Sequence, residues 1–489
     1  MNKFYVTTSI AYTNAEPHIG HALEMLQADV MARYHRLKGD ETWFLTGTDE
    51  HGAKIDRAAA AKGVAPKVFV DEISGLFRRL AVDINISNDQ FVRTTDDYHQ
   101  KAAQAIWKAC ERDIYKKPYE GWYCVGCETF YTEIDVPDHV CPIHKSQLEH
   151  TKAENYFFAL SKYTAQVKKL IETDAVKVVP AARRNEILAL LERGLEDVSI
   201  SREKTQLKWG IEVPGDADHV MYVWFDALTN YISALGYPDL TAEKYLKFWP
   251  ADVQVIGKDI SRHHACLWMG MLLAAGLPTP KSIFVHGFIT SEGHKMSKTL
   301  GNVVGPYDVI AKYGAEALRY YLLREIPADG DGDFSWERME IVYNTDLAND
   351  LGNLVQRVAV MINKYGGGHI GEPPASSHDE TRYESYLNEF RFDRALAEVW
   401  ALVRGLNQYI EDEKPWVIAK AGAAEAEHLD EVLGHVVTDL RRVADMVEPF
   451  LPATAEKIRA TFADDEVHGE IGILFPKADV LEHVRIEVK

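Results

Sequence analysis

The 489-residue sequence is poor in cysteine, with five, at positions 110, 124, 127, 141 and 266. A sparse, odd-numbered set argues against a disulfide framework. Long apolar runs are missing as well. None approaches the ~20 residues that span a bilayer, and Met1 to Tyr12 shows no apolar stretch ahead of a small-residue cleavage site. The expectation is a cytoplasmic protein with no membrane partner. Positive charge is also scarce: Lys and Arg number 54 against 74 Asp and Glu, a formal net charge of −20. Broad non-specific binding of nucleic acid is disfavoured, and only a local basic track is left for such a partner. Internal repeats, low-complexity tracts and coiled-coil heptads are absent.

What remains is ordinary globular composition, 46% hydrophobic and 26% charged, in a length that suits about two to four domains. The chain is organised around Phe4 to Leu37. Phe4 to Ile10 reads as a β-strand, and Leu23, Leu26, Val30, Tyr34 and Leu37 recur at helical spacing. Between them lies His18-Ile19-Gly20-His21. Unpaired N–H groups at a helix N-terminus favour phosphate, two imidazoles can bond its oxygens, and Gly20 lets a flat base lie against the backbone.

A second strand, Glu41 to Thr46, leads into Gly47-Thr48-Asp49-Glu50-His51-Gly52, and helices and a third strand follow to Arg93. This alternation predicts a parallel βαβ sheet, with ligands outside the carboxyl ends of its strands. Asp49 reads either as a helix N-cap or as a carboxylate for an ammonium group. The alternation stops near Tyr115 and resumes at Met221. Within the gap, Cys124, Cys127, Cys141 and His144 form C-x2-C-x13-C-x2-H, two clamps that suit one tetrahedral structural zinc, with His139 as a rival ligand. Trp224 and Tyr231, seven apart, would share a helix face, either as core or as the wall of an apolar pocket. One helix is expected from Ser261 to Ala275.

After a strand ending at His286, the loop Ser291 to Asn302 carries Lys295-Met296-Ser297-Lys298-Thr299, a cationic arm suited to developing phosphate charge. Beyond Asp308 the pattern is helical. Leu347, Leu351, Leu354, Val358 and Met361 make an apolar stripe, with Asn349, Asn353 and Arg357 four apart on its flank.

HIGH and KMSKT, in this order, resemble the two signatures of class I aminoacyl-tRNA synthetases. With TSIAYTNAEPHIGHA, LTGTDEHG, YVWFDAL, IGKDI, FVHGFIT, DGDFSW and KPW, the chain resembles the methionyl-tRNA synthetase family over residues 7 to 416. The resemblance implies an α/β fold: a Rossmann-type parallel-sheet catalytic domain (1–113 and 221–286) split by a zinc-knuckle insertion (114–220). A stem-contact segment (287–348) and an all-α anticodon-binding bundle (349–489) would follow. It implies ATP-dependent attachment of L-methionine to tRNA(Met), initiator included, through methionyl-adenylate, with Mg2+ and one structural Zn2+. His18, Gly20, His21, Gly257, Asp259, Lys295, Ser297 and Lys298 would bind ATP, the histidines and lysines being catalytic. Ile10, Tyr12, Asp49, Trp224, Ala227, Tyr231 and His264 would bind methionine, with Asp49 on the ammonium. Asn349, Asn353, Arg357 and Trp416 would read the anticodon. Thr299 replaces the usual serine and Leu228 a common proline. A chain ending at Lys489, without a C-terminal dimerising module, implies a monomer. Synthetases for cysteine, leucine or valine are the nearest rivals.

Overall fold

In the computed structural model, residues 2–124, 129–131, 136–142, 145–296, 302–370, 379–463, 466–467 and 472–478 are described. Contacts divide the chain into two compact units: Met1–Pro17, His35–Val82 and Ile86–His286 form the first; His18–Tyr34, Asp83–Asn85 and Gly287–Lys489 form the second.

The first unit is built on a seven-stranded sheet. Its order is Ala11–Tyr12, Glu41–Asp49, Lys3–Thr8, Val253–Gly257, Ser282–His286 and Lys177–Val179, with Gln90–Arg93 also paired to Glu41–Asp49. Every pairing is parallel. Phe4 to Thr8 and all of Val253–Gly257 are buried, the mark of strands covered on both faces rather than one. Gly47 is required where two strands meet: a Cβ there would sit 2.1 Å from the Val92 carbonyl oxygen.

Residues 114–220 carry an antiparallel sheet in the order Thr129–Tyr131, Ile114–Cys124, Glu149–Phe158 and Val198–Ser199, and a smaller one of Ser201–Glu203, Asp216–Met221 and Glu212–Val213. This range, expected to be one insertion, also supplies Lys177–Val179 as an edge strand of the main sheet. Three residues are too few for a period to be visible in sequence. Trp224 and Tyr231, which would share a face on a helix, stand on two short ones, Val223–Ala227 and Asn230–Ser233. At the break, the Thr229 hydroxyl donates back to the Phe225 carbonyl (3.3 Å), a bond that competes with helix propagation. The helix expected from Ser261 starts as a 3-10 turn at Lys258–Ile260, widens to a π-helical turn at His263–Trp268 and becomes α at Met269–Ala274.

In the second unit, the strand Ile289–Ser291 pairs antiparallel with His294–Lys295 and parallel with Gly332–Phe334. Thr290 faces Lys295 and Ser291 faces His294, so Glu292 and Gly293 form a two-residue turn, both at positive φ (52° and 75°), as such hairpins require. Asp333 supports it, its carboxylate accepting from Thr290 Oγ1 (2.5 Å) and Gly293 N–H (2.9 Å). The helical remainder includes Asn353–Tyr365, Phe392–Glu413 and Ala426–Val447. Leu347, Leu351, Leu354, Val358 and Met361 are all buried.

Arg319, on the helix Ala315–Arg324, is completely buried. It donates to Asp29 Oδ2 (2.8 Å) and to the carbonyls of Phe450 (2.6 Å), Ile84 (2.9 Å), Pro449 (3.1 Å) and Asn85 (3.4 Å). The rigid fork of a guanidinium satisfies acceptors from three chain segments at once. No helix among the described residues is long and apolar enough to cross a membrane.

Candidate active site

In the first unit, Ile10, Tyr12, Asp49 and His264 lie at or after the carboxyl ends of parallel strands, where such sheets bind ligands, while Trp224, Ala227 and Tyr231 follow the antiparallel strand Asp216–Met221. Ile10 and Tyr12 follow Lys3–Thr8 and are half-buried. Asp49 closes Glu41–Asp49 and is 8% exposed, its carbonyl accepting from Thr13 N–H and Oγ1, each at 3.0 Å. Its neighbour Glu50 is fixed on all sides: Arg93 donates to both carboxylate oxygens (2.6 and 2.8 Å), Thr48 and Thr95 donate through their hydroxyls, and Trp209 Nε1 donates to its carbonyl. Gly257 ends a strand beside Asp259, whose Oδ1 lies 2.9 Å from where a Cβ on Gly257 would be, and Asp259 is itself exposed.

Trp224, Ala227, Tyr231 and His264 come from two neighbouring segments. The Tyr231 hydroxyl donates to His264 Nε2 at 2.5 Å, which leaves the proton of the neutral ring on Nδ1, facing the Ile260 carbonyl at 3.4 Å. Trp224 stacks on His263 with centroids 4.1 Å apart and 7° between planes, and meets His264 edge-on at 6.2 Å. Burial lowers His264 to about 4, against a small opposing effect of the Ile260 carbonyl. Burial, with Arg262 and His264 nearby, lowers His263 to about 3. At neutral pH this wall is therefore aromatic and uncharged, a surface suited to a thioether chain, where sulfur against a ring contributes ~0.3–1.5 kcal/mol. Cys110 and Cys266 are buried, and burial pushes both thiols up to about 12. Neither is poised as a nucleophile.

Three residues that sequence reasoning missed, Asp226, His51 and His99, form a group beside this wall. Asp226, between Trp224 and Ala227, accepts from His51 Nδ1 (2.7 Å) and His99 Nε2 (2.8 Å). All three side chains are buried. Burial alone would raise the Asp226 carboxyl; the two imidazoles outweigh it and hold the group below its usual value. One signal was present in the sequence. His99 sits at helical spacing from Ala102, Ala103 and Ile106, a histidine on an otherwise apolar face.

In the second unit, His18 and His21 stack with centroids 3.9 Å apart. His21 Nδ1 accepts from the His18 N–H (3.2 Å) and His18 Nδ1 from the Gly20 N–H (3.1 Å). Both neutral rings thus carry their proton on Nε2, a donor suited to a phosphate oxygen. A Cβ on Gly20 would lie 2.9 Å from His18 Cε1. Ser297, Lys298 and Thr299, and the side chain of Lys295, lie outside the described residues; the backbone of Lys295 ends the hairpin described above.

Asn349 and Asn353 are exposed, while Arg357 bonds Glu411 at 2.7 Å. Asn349 lies on the π-helical segment Tyr343–Gly352, while Asn353 and Arg357 lie on the α-helix Asn353–Tyr365. Trp416 is half-buried on the short helix Pro415–Ile418, which packs against Asn353–Tyr365. Its start is set by Lys414 at φ 51° and by Pro415, whose fixed φ suits a first helical position.

Of the proposed zinc ligands, Cys127 and His144 lie outside the described residues. Cys124 and Cys141 are buried in one small cluster with Val136 and Leu148, and His139 stacks on Trp122 at 3.6 Å. Among the described residues, no group of three or more His, Cys, Asp and Glu could hold a metal.

The family described as tRNA synthetases class I (M) matches residues 4–148 and 132–359. The methionine–tRNA ligase of Caldanaerobacter subterraneus is 45% identical over 468 residues, covering 93% of this chain and 73% of that protein. Its Brucella suis namesake is 44% identical, covering 93% and 91%. Among solved structures, Mycobacterium tuberculosis methionyl-tRNA synthetase in complex with methionyl-adenylate superposes with a TM-score of 0.90 at 36% identity, covering 97% of this chain and all of that one. The apo form of the same enzyme gives 0.85 at 33% identity, covering 98% and 99%.

Proposed function

The chain belongs to the methionyl family of class I aminoacyl-tRNA synthetases, and from that membership we propose how its own residues divide the work. The reaction joins L-methionine to tRNA through methionyl-adenylate. A carboxylate oxygen of methionine forms a bond to the α-phosphorus of ATP as the bond to the β-phosphate oxygen breaks. Pyrophosphate leaves, and the terminal hydroxyl of tRNA then takes the acyl group with release of AMP. No covalent enzyme intermediate is needed, so the chain contributes position and charge.

Asp49 takes the substrate ammonium. Trp224, Ala227, Tyr231 and His264, with Ile10 and Tyr12, take the thioether chain. Gly257 and Asp259 serve the ribose and base of ATP. His18 and His21 donate from Nε2 to its phosphates beside Gly20, and Lys295, Ser297 and Lys298 balance charge as pyrophosphate departs. Mg2+, bound with the substrate phosphates, would add charge neutralisation there. Cys124 and Cys141, buried together, fit half of a structural zinc set that Cys127 and His144 would complete. Asn349, Asn353, Arg357 and Trp416 are assigned to the anticodon of tRNA(Met), with Trp416 stacking on an unpaired base.

The observation that carries the methionine assignment is the uncharged aromatic wall. A polar or ionised slot would reject the side chain, whereas this one takes it and discriminates by shape at ~1–3 kcal/mol per methylene. Exchange of labelled pyrophosphate into ATP, measured with each amino acid in turn, tests it. Methionine should support exchange best; equal or faster exchange with cysteine, leucine or valine overturns the assignment.

A further inference from the structure

Asp49 and Trp224 are assigned above to opposite ends of one amino acid, yet they sit on different segments of the first unit. Asp226 is a carboxylate that joins both neighbourhoods. One of its oxygens bonds His51, two residues beyond Asp49; the residue itself lies two beyond Trp224 and one before Ala227. The other oxygen bonds His99 Nε2 (2.8 Å), and His99 Nδ1 meets Ser233 Oγ at 2.9 Å. Asp226 is 1% exposed, His99 0%, Ser233 2% and His51 4%.

An ionised carboxylate only accepts, so the two nitrogens facing it, His51 Nδ1 and His99 Nε2, each present an N–H. His99 Nδ1 pairs with the Ser233 hydroxyl, which also donates to the Asn230 carbonyl (3.2 Å). Ser233 belongs to the same short helix as Tyr231, whose backbone carbonyl accepts from the Tyr5 hydroxyl (2.8 Å). Asn230 adds a side-chain bond to the Ala227 carbonyl (2.8 Å). Through His99 the links run from the His51 segment, just beyond Asp49, to the short helix that carries Tyr231. Buried side-chain hydrogen bonds of this kind rigidify the segments they join.

We propose that Asp226 is a positioning residue for methionine: bridging His51 and His99, it sets the distance between the ammonium carboxylate Asp49 and the aromatic wall of Trp224, Ala227 and Tyr231. It touches no substrate atom. The proposal rests on the assignment of those residues to methionine.

Asp226→Asn keeps the shape but offers one acceptor and one donor, so one imidazole must lose its bond or change tautomer. In pyrophosphate exchange, the KM for methionine should rise about tenfold, in line with a lost hydrogen bond to a charged group, while the KM for ATP stays within about twofold. His99→Gln retains an N–H donor at similar reach and should recover most of the methionine affinity lost in His99→Leu. A global packing role would not show this rescue, nor the split between the two KM values. The brace is refuted if Asp226→Asn raises both KM values together, if it changes neither, or if His99→Gln is no better than His99→Leu. The histidine pair decides alone if Asp226→Asn does not fold. Asp49→Asn, run in parallel, separates the two levels. Unchanged methionine KM there overturns the pocket assignment and the brace with it, whereas a rise there without one in Asp226→Asn overturns the brace alone.

Discussion

Replacing Arg319 by methionine removes five donated hydrogen bonds from a side chain with no exposed surface. Methionine has similar length and fills the space, so the cavity term is small and the loss is electrostatic. Breaking a buried ion pair by deleting one partner costs ~3–5 kcal/mol, because the other charge stays behind. Two features act on that figure in opposite directions. Asp29 keeps its bond to Arg33 Nε (2.8 Å), which softens the loss. Four carbonyls lose a donor at the same time, at ~1–3 kcal/mol for each one left buried and unpaired. A net loss of about 4 kcal/mol follows. Arg319→Lys should fall short of wild type by roughly half that, since an ammonium on a flexible stem cannot reproduce the fork. Urea unfolding of the full chain followed by far-UV circular dichroism measures it, with the transition that shifts assigned to the second unit; a chain of two compact units need not unfold in one step. The companion variant Asp29→Asn should couple to Arg319→Met, the double variant losing less than the sum of the singles. A loss below about 1 kcal/mol for Arg319→Met, or strict additivity with Asp29→Asn, refutes the reasoning.

The other predictions concern the sites. Because burial lowers the folded-state value of His264 to about 4, its neutral form is kept in the fold, and its contribution to stability is complete above the unfolded value near 6.5. That contribution drains away as pH falls from there towards 4; the methionine KM should show no ionisation near 6.5, and an inflection there that vanishes in His264→Gln would contradict it. Trp416→Ala should raise the KM for tRNA about tenfold, as loss of one base stack implies, while pyrophosphate exchange is untouched; a parallel fall in exchange counts against an anticodon role. Metal analysis of the purified protein should find about one zinc per chain, lost in Cys124→Ser; wild-type protein that carries no zinc after expression in zinc-supplemented medium removes the assignment. Lys298→Ala should slow adenylate formation by roughly a hundredfold or more with methionine binding intact, the scale of a lost charge-stabilising group; equal losses in both would place Lys298 elsewhere.

Local pattern carried some features of this protein into view before any coordinates, and failed for others in a way that has one cause. The strand, turn and helix around His18 were legible because a β-rich run and a helical stripe change period within a few residues. The stripe from Leu347 to Met361 was legible for the same reason, and all five of its residues are buried. The wider turns of Tyr343–Gly352 were not, since a π-helical turn leaves the apolar spacing nearly unchanged. In the acidic run Asp329 to Asp333, Asp333 anchors the hairpin that leads into the lysine loop, a role that depends on Thr290 and Gly293 some forty positions away.

Separation in sequence is the common element among the groups that went unseen. His51 and Asp226 are 175 positions apart, His99 and Asp226 are 127, and Asp29 and Arg319 are 290. Hydrophobic period reports which face of an element is buried; it cannot report which buried polar group finds which. Yet a charged or polar residue inside a buried run is itself informative, because it must be paired to be tolerated there. Arg319 lies within Ala317 to Leu323, seven consecutive buried residues, and His99 on a face of alanines and isoleucine. Either could have been marked as a partner in search of its acceptor, though not matched to one. Since such pairs bind distant segments, they are where a change of one atom should be felt at the substrate, and Asp226→Asn is the smallest such change available in this chain.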